Sequence, residues 1–230
     1  MFDWEERQRE EMEHLVNQIR LQRGRQDGVS WRYDPTGIFS VKSFCEASYQ
    51  KAHGENLNNK VCSRVWCGLA PPRIELITWF TIQQRLNTRD RLTRLRISNV
   101  SDTGCPFCKD DQESIDHVFL HCSVTGKFWY EIGDWLGKTW VMPRSIEETA
   151  EIWLGGVETG LRGEIWSTAF YAIIGTIWEF RNKVIFDNIQ ICRNWMALLI
   201  KQRIGFWIKH RRVNFPYRVD EVVHNVQAFL

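Results

Sequence analysis

Residues 104–123 read GCPFCKDDQESIDHVFLHCS, and this stretch decides how the middle of the chain folds. It holds Cys105, Cys108, His117 and Cys122 in the pattern Cys-x2-Cys-x8-His-x4-Cys. Three thiols and one imidazole suit tetrahedral Zn²⁺, and two short ligand pairs separated by a loop are typical of a closed site. Because protein groups would fill all four positions, no vacancy would remain for water. The pattern therefore predicts a structural zinc site and not a catalytic one.

His121 is a second candidate for the imidazole ligand. It lies four residues after His117, a spacing at which two histidines on a helix can bind one metal. We favour His117 with Cys122, since the thiolate is the stronger ligand for zinc. The two would then project about one helical turn apart from a short apolar segment. His121 is accordingly predicted to be a surface group or a neighbour of the ligands.

Composition limits the class of protein. The chain has 230 residues, 43% hydrophobic and 25% charged, which predicts one or two folded domains and excludes wholesale disorder. No uncharged apolar run approaches the roughly 18 residues of a membrane span. The acidic first residues do not resemble a secretory signal, so the seven cysteines are interpreted as reduced thiols. This predicts an intracellular protein, nuclear or cytoplasmic.

Basic residues are clustered although the net charge is only +2. Residues 73–96 carry six arginines against two acids, and residues 193–219 carry seven basic side chains and no acid. Such blocks bind phosphate or form solvated helix faces, and the sequence leaves both interpretations open. The candidate nucleic-acid contacts are Arg85, Arg89, Arg91, Arg94, Arg96, Lys209, Arg211 and Arg212.

The apolar periodicity predicts a mainly α fold: a helical domain stapled by zinc, with one small β-hairpin, followed by a C-terminal region of long helices. The hairpin is expected over residues 30–41, around the turn at 34–37. Three regions are predicted: an N-terminal amphipathic helix (1–28), a zinc-binding domain (29–140) and a helical region (141–230). Helices are expected over 2–23, 41–51, 61–68, 73–86, 89–96, 125–136, 145–154, 158–188 and 189–212.

The chain shows no arrangement of residues that predicts catalysis. It lacks the nucleophile turn Gly-x-Ser-x-Gly, the dinucleotide motif Gly-x-Gly-x-x-Gly and a phosphate-loop lysine. Four carboxylates lie between the zinc ligands, and we interpret them as solvated charges because the loop is polar: Asp110, Asp111, Glu113 and Asp116. The sequence therefore predicts a protein that is not an enzyme.

Several strings resemble a known family. FDWEE (2–6), WRY (31–33) and GIFSVKS (37–43) are similar to the segment that follows the polymerase region in plant LINE-type (non-LTR) retrotransposon polyproteins. PPR (71–73), LNTRDRL (86–92) and the cysteine pattern resemble that family's reverse transcriptase zinc-binding domain. IWEFRN (177–182) resembles the stretch that often precedes its RNase H domain. Glu75 and Cys67 depart from the usual residues there.

The resemblance implies the same four ligands, Zn²⁺ as cofactor, and a region that helps a polymerase hold RNA and target DNA. The chain has no Tyr-x-Asp-Asp polymerase signature, so the resemblance does not carry catalysis over. We therefore expect a non-catalytic module that contacts RNA or DNA through arginine-rich helices. Two alternatives stay open: a domain that docks on the reverse transcriptase polypeptide or another protein, and a stranded fragment without independent activity. Neither a membrane nor a small-molecule substrate is expected.

Overall fold

The computed structural model describes residues 3–17, 29–41, 43–44, 47–48, 62, 64–97, 103–155, 159–212 and 214–229. These residues are mainly helical, which confirms the predicted fold class. The chain divides into two compact units, residues 1–55 and residues 56–230. The division into three regions, at 28 and 140, stays a prediction.

The first unit contains α1 (Asp3–Asn17). Its acidic side chains concentrate in the first turns, where they suit the positive end of the helix dipole. Arg9 adds an ion pair with Glu13 one turn later, at 3.1 Å. The helix was expected to reach residue 23, but residues 18–28 lie outside the described part of the chain.

The predicted β-hairpin over residues 30–41 is wrong. The described residues there form a closed turn, in which the Trp31 amide donates to the Gly37 carbonyl at 2.8 Å. Asp34 accepts the amide of Thr36 at 2.9 Å, and Gly37 takes the left-handed conformation at φ 72°. Backbone groups that two strands would have paired are thus used inside the turn, which explains why no ladder forms.

Helices build the second unit, in the order α2 (Pro72–Ile82), α3 (Arg89–Arg94), a π-turn (His117–His121), α4 (Lys127–Trp135) and α5 (Ile146–Leu154). Then follow α6 (Gly160–Phe186), α7 (Arg193–Arg211), α8 (Val219–Asn225) and a 3₁₀ turn (Val226–Phe229). Thr88 caps α3 and Ser145 caps α5 by accepting an amide of the first turn, at 3.4 and 3.3 Å. In the predicted helix over 41–51, the described residues 41, 43, 44, 47 and 48 are helical. In the predicted helix over 61–68, residues 62 and 64 are helical but residues 65–68 are not, so the second half of that prediction is wrong.

Helix α6 is the centre of the second unit. Residues 168–178 are buried without interruption, so the helix is covered on all sides and not along one stripe only. It packs against α2, α4, α5, α7 and the π-turn. The tryptophans cluster beside it: Trp153 stacks on Trp166 with ring centroids 3.8 Å apart, and Trp129 meets Trp153 edge to face. This aromatic core packs next to the π-turn, which the Trp129 indole contacts directly.

Helix α7 runs beside α6, and α8 packs against α7. The sequence predicted the two long helices but not α8, because Pro216 was interpreted as an end. None of the described helices combines the length and the apolar composition needed to cross a lipid bilayer.

Candidate metal centre

Four donor atoms meet in the second unit. The ligand atoms of Cys105, Cys108, His117 and Cys122 all lie within 4.8 Å of one another. The sulfurs of Cys105 and Cys122 are 3.9 Å apart, and the Cys108 sulfur lies 3.3 Å from Nε2 of His117. A tetrahedral zinc would separate two sulfurs by about 3.8 Å and a sulfur from a nitrogen by about 3.5 Å, given bonds near 2.3 and 2.0 Å. The donor set therefore fits this ion in chemistry and in size.

A tight loop presents the first two thiols. The Cys105 amide donates to the Asp111 carbonyl at 2.7 Å, and the Glu113 amide donates to the Thr103 carbonyl at 2.9 Å. The Lys109 amide closes the turn on the Cys105 carbonyl at 3.1 Å, with Lys109 itself in the left-handed conformation at φ 66°. Both thiols consequently lie on the same side of the loop.

The π-turn presents the other two ligands. The amide of Cys122 donates to the carbonyl of His117 at 2.7 Å, an i→i+5 bond. In a regular α-helix, residues five apart point about 140° away from each other, given 3.6 residues per turn. The wider π-turn brings them back toward one face, which is the use such turns have at functional sites. The sequence predicted a helical turn here but not its type.

Side chains from the next segment satisfy carbonyl groups of the π-turn. The Thr125 hydroxyl donates to the Val118 carbonyl, and the Trp129 indole donates to the Phe119 carbonyl at 2.6 Å. Gly126 packs so closely that a Cβ atom there would overlap the Leu120 carbonyl oxygen. The unusual turn is thus held by α4 and the residues before it.

The two histidines have different surroundings. Nε2 of His117 faces Cys108, while its Nδ1 lies 3.7 Å from a carboxylate oxygen of Asp111, an arrangement that orients a ligating imidazole. His121 is exposed, and its Nε2 lies 3.0 Å from the Arg144 carbonyl oxygen. The structure brings His117 into the cluster and leaves His121 outside it.

The buried sulfurs of Cys105 and Cys122 are close enough for a hydrogen bond between them. The hydrogen bond from the Cys105 thiol, helped by the backbone amides of Thr125 and Val124 and opposed by burial, lowers the pKa of Cys122 to about 4. The same hydrogen bond, together with burial, raises the pKa of Cys105. One thiolate, the form that binds metal, is therefore already stabilised at neutral pH.

One carboxylate between the ligands is buried, contrary to the prediction that all four are solvated. Glu113 is 0% exposed and accepts two bonds from Arg181 of α6, at 2.6 and 2.9 Å. Its second oxygen also accepts the backbone amide of Arg89 at 2.9 Å. Asp116 caps α5 by accepting the Ile146 amide at 2.9 Å. Asp110 and Asp111 are exposed.

Arg181 is the structural residue that the sequence analysis missed. It is 4% exposed and also donates to the Asn87 carbonyl at 3.1 Å. The signal was present in the sequence, since a single arginine within the apolar run of α6 needs a buried partner. The partner, Glu113, could be identified only from the three-dimensional structure.

The arginines around α3 differ in their surroundings. Arg85 and Arg96 are exposed and make no ion pair with the residues that the structure describes. Arg91 donates to the Asn87 side chain at 2.7 Å, and Arg94 pairs with Asp90 at 3.0 Å. Arg89 is half-buried and donates to the Gly104 carbonyl at 2.8 Å, which ties it to the metal-binding loop.

The C-terminal basic cluster is separate from these arginines in the fold. Lys209, Arg211 and Arg212 lie at the end of α7 and are exposed. Arg211 and Arg212 both pair with Glu164 of α6, at 3.4 and 2.7 Å. These two arginines therefore help to join α7 to α6, and Lys209 has no ion pair among the described residues.

Comparisons with known proteins agree with this geometry. Residues 39–129 match the family described as zinc-binding in reverse transcriptase. A protein of Arabidopsis thaliana whose name describes it as a ribonuclease H protein is 26% identical over 191 residues, which is 81% of this chain. The match covers 30% of that relative's length. No solved structure matches the chain at a significant level.

The family match includes all four donor residues and the loop between them. It also confirms the resemblance drawn from the sequence and zinc as the metal of this domain. Residues 39–129 of the chain are therefore a reverse transcriptase zinc-binding domain.

Proposed function

We propose that the chain is a non-catalytic zinc-binding module, derived from a LINE-type reverse transcriptase polyprotein, that contacts RNA or DNA through its arginine-rich helices. The observation that carries this proposal is the closed set of four protein donor atoms within 4.8 Å. Cys105, Cys108, His117 and Cys122 would fill a tetrahedral zinc completely, as in structural sites. A bound ion there would join the loop of residues 103–113 to the π-turn.

Charge favours the arginines, and not the metal itself, as the contacts to phosphate. Three thiolates and a neutral imidazole around Zn²⁺ carry a formal charge near −1, which repels a phosphate group. Arg85 and Arg96 are the strongest candidates because they are exposed and have no described ion pair. Arg89, Arg91, Arg94, Arg211 and Arg212 already have partners within the chain, and they stay predicted contacts together with Lys209.

Fluorescence anisotropy with a labelled structured RNA at two salt concentrations tests this proposal. We expect binding whose affinity falls as salt rises, with a log–log slope of about −0.7 to −0.9 for each phosphate contact. Polyglutamate of similar length serves as a control for unspecific attraction to negative charge. A protein that is folded and zinc-loaded but indifferent to both RNA and salt would refute nucleic-acid contact.

A second candidate function, docking on the polymerase part of the parent polyprotein, is favoured by one surface of α7. Trp195 and Phe206 are 50% and 60% exposed, and their spacing of eleven residues places them on one face of the helix. Leu198, 42% exposed, lies beside them. Apolar side chains grouped on an exposed helix face are typical of protein contacts.

Copurification of the chain with the polymerase region of a related polyprotein, after nuclease treatment, tests this candidate. We expect Trp195→Ala with Phe206→Ala to abolish the copurification, and Arg144→Ala, at an exposed position outside α7, to leave it unchanged. Retention that disappears with nuclease would instead indicate that nucleic acid bridges the two proteins.

A further inference from the structure

A groove lies between α2, the segment 85–91 and the second half of α6. Its volume is about 610 Å³. Arg73, Arg85 and Arg91 lie along it, and Ile77, Phe80 and Trp178 belong to its apolar lining. No carboxylate lines this groove among the described residues. An apolar surface bordered by three cations, without a counter-charge of its own, favours an occupant that is both anionic and apolar.

The arginines of the groove are available to such an occupant. Arg73 and Arg85 are exposed, and neither makes an ion pair with a described residue. Arg91 uses one nitrogen to donate to Asn87 at 2.7 Å, which holds its guanidinium in place and leaves its other donors. Arg73 comes from α2, whereas Arg85 and Arg91 come from the following segment, so the positive charge borders the groove from two elements.

The apolar floor is held rigidly. The Trp178 ring stacks on Phe119 with centroids 6.4 Å apart, and the Arg181 guanidinium lies 4.8 Å from the centre of the Trp178 ring. Phe80 is half-buried and meets Trp79 edge to face at 5.1 Å. α2 approaches α6 closely at Gly175, where a Cβ atom would lie 2.9 Å from the Ile74 side chain. Because these side chains are already held in place, a ligand that binds to them causes little loss of side-chain conformational entropy.

Two neighbouring grooves differ from this one in how their charges are balanced. One, next to Trp178, is lined by Arg89 and Arg181 and by no described carboxylate, but both arginines pair with the buried Glu113. On the other side of Trp178, a groove that also includes Arg73 and Ile77 is lined by Glu179 and Asp187. Glu179 is paired there with Lys183 at 2.6 Å and with Arg203, so its charge is balanced within the protein. Of these three grooves, the one between Arg73 and Arg91 is the one whose arginines have no ion pair with a described residue and whose described lining has no carboxylate.

We propose that this groove binds a single-stranded polynucleotide, with Arg73, Arg85 and Arg91 contacting phosphates and Phe80 packing against an unstacked base. The proposal rests on the nucleic-acid contact proposed above and assigns it to one surface. A duplex keeps its bases stacked inside and would offer only phosphates and sugars to the apolar floor, whereas a single strand offers both charge and base faces. An acidic peptide matches the charge but lacks flat aromatic groups for the floor.

The experiment compares a labelled single strand with a blunt duplex of the same sequence, on the full zinc-loaded chain, across a series of salt concentrations. RNA and DNA strands are measured separately, and the tighter of the two identifies the sugar. We expect the single strand to bind more tightly, with a log–log slope near −2 from three contacts of about −0.7 each. Arg73→Gln and Arg85→Gln should each make this slope shallower by about 0.7.

Two further variants test the contribution of the apolar floor separately from that of the arginines. Phe80→Leu should weaken single-strand binding and leave the salt slope unchanged, because no phosphate contact is lost. Arg144→Gln removes an exposed arginine outside the groove and should change neither quantity. Zinc content and thermal unfolding, measured on each variant, show that the fold is intact.

The outcomes distinguish the two proposals. If the wild-type chain binds no polynucleotide, both are wrong. If it binds, but Arg73→Gln and Arg85→Gln behave like Arg144→Gln, the groove is wrong while nucleic-acid contact stands. Binding of the duplex as tightly as the single strand would also overturn the single-stranded occupant. So would a result in which Arg73→Gln weakens the binding of polyglutamate but not the binding of RNA.

Discussion

Glu113 and Arg181 join the metal-binding loop to a helix that lies 68 residues further along the chain. The pair is buried, doubly hydrogen-bonded and supplemented by the Arg89 amide and the Asn87 carbonyl. A buried pair of this kind contributes little compared with apolar residues of the same size, but removal of one partner leaves an uncompensated charge. Its role here is to fix the position of the loop.

Removal of one partner should therefore be costly. Arg181→Met is expected to lower the free energy of unfolding by about 3–5 kcal/mol, since the buried Glu113 carboxylate keeps only the more distant Arg89 side chain, at 4.0 Å, as a counter-charge. The double variant Glu113→Gln with Arg181→Met should lose less than the sum of the two single changes. Urea unfolding followed by circular dichroism measures all three proteins. Strict additivity would show that the pair has no coupling.

The ligands themselves are expected to differ sharply from their neighbours. Cys105→Ser or Cys122→Ser should release zinc and unfold at least residues 60–140, because structural zinc contributes on the order of 10–16 kcal/mol of apparent binding energy in small peptides. His117→Ala should have the same effect, and His121→Ala should be mild. Mass spectrometry of the native protein measures the zinc content of each variant, and limited proteolysis measures how much of it is unfolded. Equal effects of the two histidine changes would show that the ligand set is wrong.

At the scale of elements, the π-turn is the feature on which the metal site depends most. Gly126 is required there for space and not for its backbone angles: a Cβ atom would overlap the Leu120 carbonyl oxygen and lie 2.9 Å from that of Cys122. These are backbone atoms, which cannot move aside as the end of a side chain can. The close approach keeps α4 against the turn that carries Cys122.

Gly126→Ala should accordingly destabilise the second unit by about 1–3 kcal/mol, the usual cost of overpacking, and weaken zinc binding. Lys127→Ala, at the next and exposed position, should stay within about 0.5 kcal/mol of the wild type. Thermal unfolding and competition with a zinc-binding dye measure the two effects. A Gly126→Ala protein that binds zinc as tightly as the wild type would contradict this account.

The elements also show where prediction from sequence stops. Long helices such as α6 and α7 follow from apolar periodicity, and the caps at Thr88 and Ser145 follow from local hydrogen-bonding chemistry. The π-turn does not, because its type depends on Thr125 and Trp129 satisfying its carbonyls. The hairpin prediction failed for a related reason: Asp34 and Gly37 close a local turn that competes with strand pairing. Burial of Glu113 depended on a partner 68 residues away.

At the scale of the whole molecule, stability should depend on pH through the metal ligands. Zinc binds deprotonated thiols, so its affinity falls as pH falls. Cys122 acts in the same direction: its pKa in the folded chain is about 4, below its ordinary value. Stability from this group is fully present above the ordinary pKa and is lost as pH falls toward 4.

We therefore expect the thermal midpoint of the zinc-loaded chain to fall steadily between pH 8 and pH 4.5. A chelator added at pH 8 should lower the midpoint strongly, and the same chelator at pH 4.5 should have little further effect, because the metal has already been released. Differential scanning calorimetry at each pH measures this. A midpoint that is independent of both pH and chelator would show that the fold does not depend on zinc.

Helix α6 has a consequence for how the polypeptide can be subdivided. Its buried surface continues without interruption through residues 168–178, and it supplies Arg181 to a loop that belongs to the matched family segment. A fragment limited to residues 39–129 would lack Arg181, which pairs with Glu113 in the zinc loop. It would also expose the apolar side chains that α6 covers in the whole chain. We therefore expect that the segment 39–129, which matches the family, does not fold on its own. We expect it to precipitate unless residues up to the end of α7 accompany it.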